Sequence, residues 1–265
     1  SSGRTFADVR AFADKNRAID LIHPLYSQEK VKIWVMITPR IFNIQVGPGL
    51  SFNQLRFFVG QDPKLSQSEI SQLHEKEAIA YDYNDGKPKK LPTIFNHADG
   101  LLTTLSLQSR DGRNKLKDLK VKPGDCFLLF TREILHFPAE FSGEMKAYSM
   151  AALRGPLHFA GFFDNGFYGD AVIELLSEET EEIYLTHGMP IAEFEFYRTS
   201  GKPDKIYGDK KSGSNYYGQV GPRMAKYFKQ EDMSGIVALK ARKVPYPLDL
   251  RKKHFYHMRD FFEVY

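Results

Sequence analysis

Cysteine is almost absent from this chain, since Cys126 is the only one among 265 residues. A single thiol excludes an intrachain disulfide and is typical of a protein in a reducing compartment, so we expect a cytoplasmic location. Cys126 follows Pro123-Gly124-Asp125 at the start of an apolar run. We expect it to be a small buried side chain.

Long apolar runs and a strong charge of one sign are also lacking. There is no stretch of about 18 apolar residues and no signal-peptide pattern, so we expect no membrane association. The 37 Lys and Arg residues nearly balance the 33 Asp and Glu residues, and the net charge of +4 does not indicate nucleic-acid binding. A hydrophobic content of 42% and a charged content of 26% are those of a globular protein with a full core.

Most of the sequence has the pattern of β-strands, in short runs bounded by Gly, Pro or charged turns. The predicted strands are Lys32–Ile37, Ile41–Val46, Gln54–Val59, Asp125–Thr131, Asp170–Leu176, Glu182–Leu185 and Ala192–Arg198. One helix is predicted from Ser66 to Tyr81, with Ser66 or Ser68 as its cap. The last part of the chain, Leu248–Tyr265, is predicted to be a helix or an edge strand.

Two segments 139 residues apart repeat one apolar pattern around a glycine. Phe42–Val59 aligns with Glu181–Arg198, so that Gly49 coincides with Gly188. A glycine in register between two strand patterns favours a duplicated strand–turn–strand unit over two unrelated amphipathic hairpins.

The repeat and the turn-rich connector Asp82–Pro92 suggest four parts. Residues 1–65 would be the remnant of a first repeat, and residues 66–100 a helix and linker. Residues 101–232 would be the second repeat, followed by a basic and aromatic tail at 233–265.

The stretch His158–Leu175, HFAGFFDNGFYGDAVIEL, combines a tight turn with a strand that carries a carboxylate near its end. Asp-Asn-Gly is a strong hairpin signal, because Asn and Gly tolerate positive φ. In the strand that follows, Ala171, Ile173 and Leu175 share one face, so Glu174 lies on the other. The residues alone leave Glu174 as either a surface residue or a site residue.

This stretch resembles the central motif of the deoxycytidine triphosphate (dCTP) deaminases, which belong to the trimeric dUTPase superfamily. The matching positions are Gly161, Phe162, Phe163, Asp164, Gly166, Phe167, Gly169 and Glu174. Further similarities lie in Gly188–Phe196, in Tyr207–Gln219 (which resembles the family's nucleotide-covering segment), and in Thr38–Phe42 and Asn53–Phe57. The last two resemble the first repeat of the long, two-repeat deaminases. Ser1–Arg4 is similar to the end of that repeat's serine-rich phosphate motif, so we expect the preceding strands to be missing.

The resemblance implies a mostly β fold of dUTPase-like distorted β-barrels, the β-clip, duplicated in one chain and accompanied by one or two short helices. It implies a homo-oligomer, either a trimer or repeats that mimic one, with sites between neighbouring units. It also implies a deoxycytidine nucleotide substrate, Mg²⁺ bound through the triphosphate, and dTTP as a possible inhibitor.

Hydrolytic deamination of cytosine needs an activated water, a proton for the ring nitrogen and ammonia as leaving group. Most base deaminases use zinc, with H-x-E and P-C-x-x-C patterns. This chain has neither pattern, so no zinc is expected. A zinc-free route needs a positioned general base, and the resemblance gives that role, with the proton shuttle, to Glu174.

The resemblance places Asp164 at the deoxyribose. In dUTPases the matching aspartate orients the attacking water, but those enzymes usually have a second aspartate where this chain has Gly166. They also lack a glutamate at the position of Glu174, and both differences favour a deaminase. The alternative for Asp164 is an Asx turn cap.

The predicted nucleotide-binding residues are Ser1, Ser2, Arg4, Ala160, Gly161, Phe163, Gly166, Tyr207, Tyr216 and Gln219. Arg4 would hold phosphate bidentately, unless the terminus frays. Tyr207, Tyr216 and Gln219 would close over the nucleotide, or else belong to an ordinary polar loop.

Each repeat carries only part of this site. Met36 stands at the strand position of the glutamate in the first repeat, where it cannot act as a base, and Met150–Leu157 lacks a Ser-Ser-x-x-Arg motif. We therefore expect a composite site that joins Arg4 of one repeat to Glu174 of another. The leading hypothesis is a dCTP deaminase that makes dUTP. The alternatives are a dUTPase or bifunctional enzyme, and an inactive nucleotide-binding homologue.

Overall fold

The computed structural model describes residues 7–13, 33–40, 57, 60–84, 87–109, 115–148, 156–159, 161–177, 180–209, 214, 216–221, 237–241 and 262–264. The chain divides into two compact units, Ser1–Phe57 and Phe58–Tyr265. The functional division predicted at residues 65, 100 and 232 stays a prediction.

The first unit contains a two-stranded antiparallel sheet. Strand β1 (Ala7–Ala13) pairs with β2 (Ile33–Pro39), so that Arg10 lies opposite Met36. Strand β2 confirms the predicted strand Lys32–Ile37. The predicted strand Ile41–Val46 and nearly all of Gln54–Val59, and with them the first half of the repeat, lie outside the described residues.

The second unit is mostly β, as predicted. Its elements are α1 (Gln67–Lys76), β3 (Ala80–Asn84), β4 (Lys87–Lys90), β5 (Phe95–His97), β6 (Gly100–Ser106), β7 (Asp118–Val121), β8 (Cys126–His136), β9 (Phe141–Ala147), β10 (Pro156–Phe159), β11 (Phe162–Phe163), β12 (Tyr168–Ser177), β13 (Ile183–Thr186), β14 (Pro190–Arg198), β15 (Val237–Ala241) and β16 (Phe262–Val264). The main sheet runs in the order β10-β12-β8-β6-β14-β9-β11, with β3, β4, β5, β15 and β16 attached beside it. Strands β7 and β13 form a separate pair.

Helix α1 is shorter than the predicted helix Ser66–Tyr81. Ser66 is its cap, as predicted, but the backbone becomes extended at Glu77. Ile79 and Ala80 are fully buried, the Ile79 carbonyl accepts a hydrogen bond from His136 N at 2.9 Å, and Ala80 begins β3. Pairing with β8 therefore overrides the helical pattern at this point.

The segment Asp82–Pro92 is not simply a connector, as the sequence suggested. Its first part belongs to β3 and its second part to β4, and the two strands pair so that Tyr81 lies opposite Lys90. The hairpin belongs to the second unit, because β3 also pairs with β8.

The core of the second unit centres on stacked phenylalanines. The ring of Phe137 lies 5.3 Å from that of Phe163 and 4.5 Å from that of Phe196, centroid to centroid. Phe167 meets Phe163 edge to face at 4.8 Å. Such contacts add to the stabilisation from burying the rings. They hold the Phe163–Phe167 turn against the sheet.

A β-bulge shapes the pairing of β8 with β12. Asp170 pairs with Ile134, but Val172 pairs with Phe130, so β8 carries extra residues at this point. The side chain of Thr131 compensates, because its Oγ1 accepts from Ala171 N at 3.3 Å and donates to Glu133 O at 2.7 Å. The bulge therefore leaves Ala171 hydrogen-bonded while it bends β8 beside the candidate site.

Candidate active site

The Asp-Asn-Gly turn forms, but the predicted hairpin is wrong. Phe167 N donates to Asp164 O at 3.0 Å, and Gly166 has φ +86°, as in a type II turn. The flanking strands do not pair with each other, because β11 pairs with β9 and β12 pairs with β8 and β10. The physical reason is tertiary: Phe163 and Phe167 are both buried, and Gly166 N donates to Phe137 O at 2.9 Å.

At Gly166 the turn is in close contact with Ile206 and Tyr207, which come later in the chain. Tyr207 N donates to Asn165 O at 2.7 Å. A Cβ on Gly166 would lie 2.9 Å from Tyr207 O and 3.1 Å from Ile206 Cβ. Both this close approach and the positive φ require glycine. The structure thus brings together Gly166 and Tyr207, two of the predicted nucleotide-binding residues.

We call residues 206–221 the covering segment, of which 206–209, 214 and 216–221 are described. The segment is organised by its own hydrogen bonds: Tyr216 N donates to the Tyr207 hydroxyl at 3.0 Å, and Gly208 N donates to Ser214 Oγ at 3.0 Å. Tyr207 and Tyr216 are half-buried, and the Tyr207 ring lies 5.6 Å from that of Phe167. These bonds therefore join the described parts of the segment to one another beside the turn.

Glu174 is buried, with 4% of its surface exposed. It lies on β12 between Leu128 of β8 and Phe159 of β10 in the register of the sheet. Ala171, Ile173 and Leu175 are buried on the opposite face, as the alternation predicted. In this chain Glu174 is thus not an outward-facing, solvated strand residue, which was the alternative to a site residue.

The outer edge of β12 is covered in two stretches. Strand β10 pairs with residues 174–177, and Gly169 forms a parallel bridge to Gln219. Between them, no described residue pairs with the edge at Val172. The N–H of Asp170 points to this edge, where it donates to Gln219 O. The N–H and C=O groups of successive strand residues point alternately to the two edges, so those of Val172 point to this edge too. Within the described part of the chain, the backbone of Val172 thus has no strand partner at this edge, next to the buried Glu174.

Gln219 is buried, with 1% of its surface exposed. Its Nε2 donates to the carbonyl oxygen of Asp170 at 2.7 Å, and its carbonyl oxygen accepts from Asp170 N at 3.1 Å. These bonds attach the covering segment to the start of β12. The predicted role of Gln219 as a nucleotide ligand stays a prediction.

Aromatic rings surround the attachment point. The Tyr168 ring lies 5.8 Å from that of Tyr81, 6.1 Å from that of His136 and 6.3 Å from that of Tyr217 of the covering segment. Burial, with the neighbouring Tyr81, Tyr217 and Asp170, raises the pKa of Tyr168. Its hydroxyl therefore stays protonated at neutral pH.

The remaining predicted residues differ in how the structure places them. Asp164 and Gly161 are half-buried at the turn. The Phe163 ring packs in the aromatic core, so a nucleotide contact of this residue would use its backbone. Ser1, Ser2, Arg4 and Ala160 lie outside the described residues, and so does the composite site that would use Arg4.

Sequence reasoning missed Asp170, which has no exposed surface. A signal was present in the sequence. Asp170 lies four residues before Glu174 on the same strand, and therefore on the same face, immediately after the motif glycine Gly169. A charged residue at that position in a buried strand needs hydrogen-bond donors, and one of them, Gly221 N, lies in the covering segment.

Metal-ligand clusters and membrane-spanning helices are both absent from the described part of the chain. It holds no cluster of three or more His, Cys, Asp or Glu side chains placed to bind a metal ion. Within the same residues, no helix has the length and apolar character needed to cross a bilayer.

Comparison with known proteins identifies the family. The model of the 2'-deoxycytidine 5'-triphosphate deaminase (DCD) C-terminal domain matches residues 110–228. A dUMP-forming dCTP deaminase of Corynebacterium glutamicum is 30% identical over 136 residues, covering 51% of this chain and 72% of that protein. One from Nocardioides is 35% identical over 108 residues, covering 40% of this chain. This chain belongs to the dCTP deaminase family.

The match is partial in length. The chain spans 56% of the Nocardioides relative and 60% of one from Leifsonia xyli, also named a dUMP-forming dCTP deaminase. Among solved structures, a 2'-deoxycytidine 5'-triphosphate deaminase from Agrobacterium tumefaciens aligns with 77% of this chain and 72% of its own, with a TM-score of 0.44 and 17% identity.

Proposed function

We propose that this chain carries the deaminating site of a dCTP deaminase, which converts dCTP and water to dUTP and ammonia without zinc. The observation that carries the proposal is Glu174, a carboxylate only 4% exposed on β12, within the residues that match the deaminase domain. The bulge in β8 and the covering segment border the two edges of the same strand.

Glu174 would handle the protons of the reaction. It takes a proton from water as the oxygen adds to C4 of cytosine, and passes it to the ring N3. It then takes the proton of the new hydroxyl and delivers it to the amino group. The C4–N bond breaks, ammonia leaves and the C4 carbonyl of uracil forms. A carboxylate fixed on a strand and shielded from bulk water suits this two-way transfer.

The other predicted residues would bind the nucleotide. Asp164 would hold the deoxyribose, Arg4 and its neighbouring serines the triphosphate, and the covering segment would close over it. Mg²⁺ would enter with the triphosphate, whose oxygens are the ligands it prefers, so the proposal needs no metal ligand on the protein. We further propose a homo-oligomer and inhibition by dTTP, which sedimentation and competition against dCTP would test.

The test is Glu174→Gln, which keeps the shape of the side chain but removes its basicity. We expect ammonia release from dCTP to fall at least ~100-fold, the scale of general acid–base catalysis, while calorimetry still shows dCTP binding. The matched control is Glu195→Gln on β14. Glu195 is 6% exposed and pairs with Lys146 at 2.8 Å, so it is also a buried strand glutamate. Full activity of Glu174→Gln would overturn the assignment.

A second candidate is a bifunctional enzyme that continues to dUMP. The observation that favours it is that the relatives above are named dUMP-forming. Asp164 would then also orient a second water, for attack on the triphosphate. Product analysis separates the outcomes: dUTP supports the deaminase alone, and dUMP with pyrophosphate supports the bifunctional enzyme. If the protein binds nucleotide and forms neither product, it is an inactive homologue.

A further inference from the structure

Asp170 makes three hydrogen bonds to the covering segment. Its backbone N–H donates to Gln219 O at 3.1 Å, and its backbone carbonyl accepts from Gln219 Nε2 at 2.7 Å. Its carboxylate Oδ2 accepts from Gly221 N at 2.6 Å. Asp170, with no exposed surface, thus uses its backbone donor, its backbone acceptor and its side chain to hold one piece of chain.

The neighbouring residues leave room for this attachment. Gly169 has φ +147°, and a Cβ there would lie 3.1 Å from both the N and the O of Gln219. Gly218 N donates to Tyr168 O at 2.7 Å, which extends the contact by one residue. The segment therefore joins the edge of β12 through one parallel β-bridge, Gly169 to Gln219.

The carboxylate is what makes this contact more than a backbone pairing. A buried charge is costly unless donors surround it, and hydrogen bonds to a charged acceptor are stronger than neutral ones. The N–H of Gly221 is one such donor. When the segment leaves, Asp170 exchanges this donor for water. Its charge therefore bears directly on the equilibrium between the attached and released segment.

The attachment point lies on the same strand as the proposed base. Asp170 and Glu174 are four residues apart, about 13 Å along a strand. The attached segment lies on the outer edge of β12 before Val172, and β10 pairs with the same edge from Glu174 onward. Release of the segment would free the start of β12, four residues before Glu174.

We propose that Asp170 is a positioning residue, which holds the covering segment on β12 and thereby sets the affinity of the site for its nucleotide. Its role rests on the proposed function, since the nucleotide is the one named there. Asp170 takes no part in the proton transfers.

The first test is hydrogen exchange on the nucleotide-free protein, which needs no activity. In Asp170→Asn we expect amides of residues 216–221 to exchange about tenfold faster, the effect of losing one charge-assisted hydrogen bond, with other peptides unchanged. The control is Glu133→Gln. Glu133 is also a carboxylate that accepts a backbone N–H, at 2.8 Å, but the donor is Thr104 of β6 and not a residue of the segment. Unchanged exchange at 216–221 in Asp170→Asn would overturn the proposal.

The second test is steady-state kinetics with dCTP. We expect Asp170→Asn to raise KM about tenfold and to change kcat far less, since affinity and not chemistry is affected. Gly169→Ala places a methyl group against the backbone of Gln219 and should likewise speed exchange at 216–221 and raise KM. It replaces Asp170→Asn as the test if that variant does not fold. If Asp170→Asn exchanges faster at 216–221 but has an unchanged KM, Asp170 holds the segment without setting the affinity for the nucleotide, and the proposal is wrong on that point. A wild-type protein inactive on dCTP would instead contradict the proposed function, and the exchange result would still decide how the segment is attached.

Discussion

At the scale of single residues, glycines and buried carboxylates decide how this site is built. Gly166 and Gly169 allow the backbone of the covering segment to come close at two points. Asp170 lies on β12 where the segment attaches, and Glu174 lies on the same strand where β10 pairs with it. Gly143 of β9 is a third glycine where an added side chain would collide with its surroundings, and here the reason is packing alone. A Cβ there would lie 1.9 Å from Cε1 of Phe137, the central ring of the core.

Gly143→Ala should therefore destabilise the protein by about 1–3 kcal/mol, the usual cost of overpacking a core. Chemical denaturation would measure it. The control is Gly201→Ala, where nothing lies within 4 Å of the added Cβ. If the collision with Phe137 is the cause, the same change made in a Phe137→Leu background should cost less. Equal losses for Gly143→Ala and Gly201→Ala would contradict the explanation.

At the scale of elements, the beginning of α1 was predictable and its end was not. The capping box is local: Ser66 Oγ accepts from Glu69 N at 3.4 Å, and Glu69 Oε2 accepts from Ser66 N at 2.8 Å. The end depends on β8, more than fifty residues away in sequence, which pairs with Ala80 and Tyr81. The hairpin at Asp164–Phe167 failed for the same kind of reason, since its strands have better partners elsewhere.

The capping box should give the helix a measurable pH dependence. The backbone N–H and hydroxyl of Ser66 lower the pKa of Glu69 from its model-peptide value of 4.5. A depressed carboxylate pKa stabilises the folded state above the unfolded pKa, and this contribution is lost as pH falls through the folded one. Thermal unfolding should show Glu69→Gln to be less stable than wild type at neutral pH, with the gap closing below about pH 4.

The control for this prediction is Glu75→Gln, an exposed residue near the other end of α1. A negative charge near a helix C-terminus is not stabilising, so its removal should not lower stability at neutral pH. A gap between wild type and Glu69→Gln that stays constant with pH would show that the charge of Glu69 is not the cause.

At the scale of the whole molecule, β8 is the strand on which the second unit depends. It pairs with β12, β6, β3 and β15, so its residues are buried from several sides. Cys126 begins this strand with no exposed surface. Burial, and then the charge of Asp125, raises the pKa of its thiol to about 12.

Cys126 should consequently report global unfolding. Near pH 8 the native protein should not react with a thiol reagent on the time scale on which glutathione reacts fully, because the thiol is both protonated and covered. Concentrated guanidinium chloride should make the thiol fully reactive. Rapid labelling of the native protein would show that the start of β8 opens locally.

The sequence by itself determined the mostly β class, the family, the cap of α1 and the alternation that buries Ala171, Ile173 and Leu175. These features depend on local backbone preferences, on strand periodicity and on a motif carried by neighbouring residues. Only the tertiary structure decided that Glu174 is buried although it faces away from those three, because what covers that face of the sheet is not set by local pattern. It also decided that Asp170 meets Gln219 and Gly221, since partners about fifty residues apart are set by sheet pairing and not by local pattern.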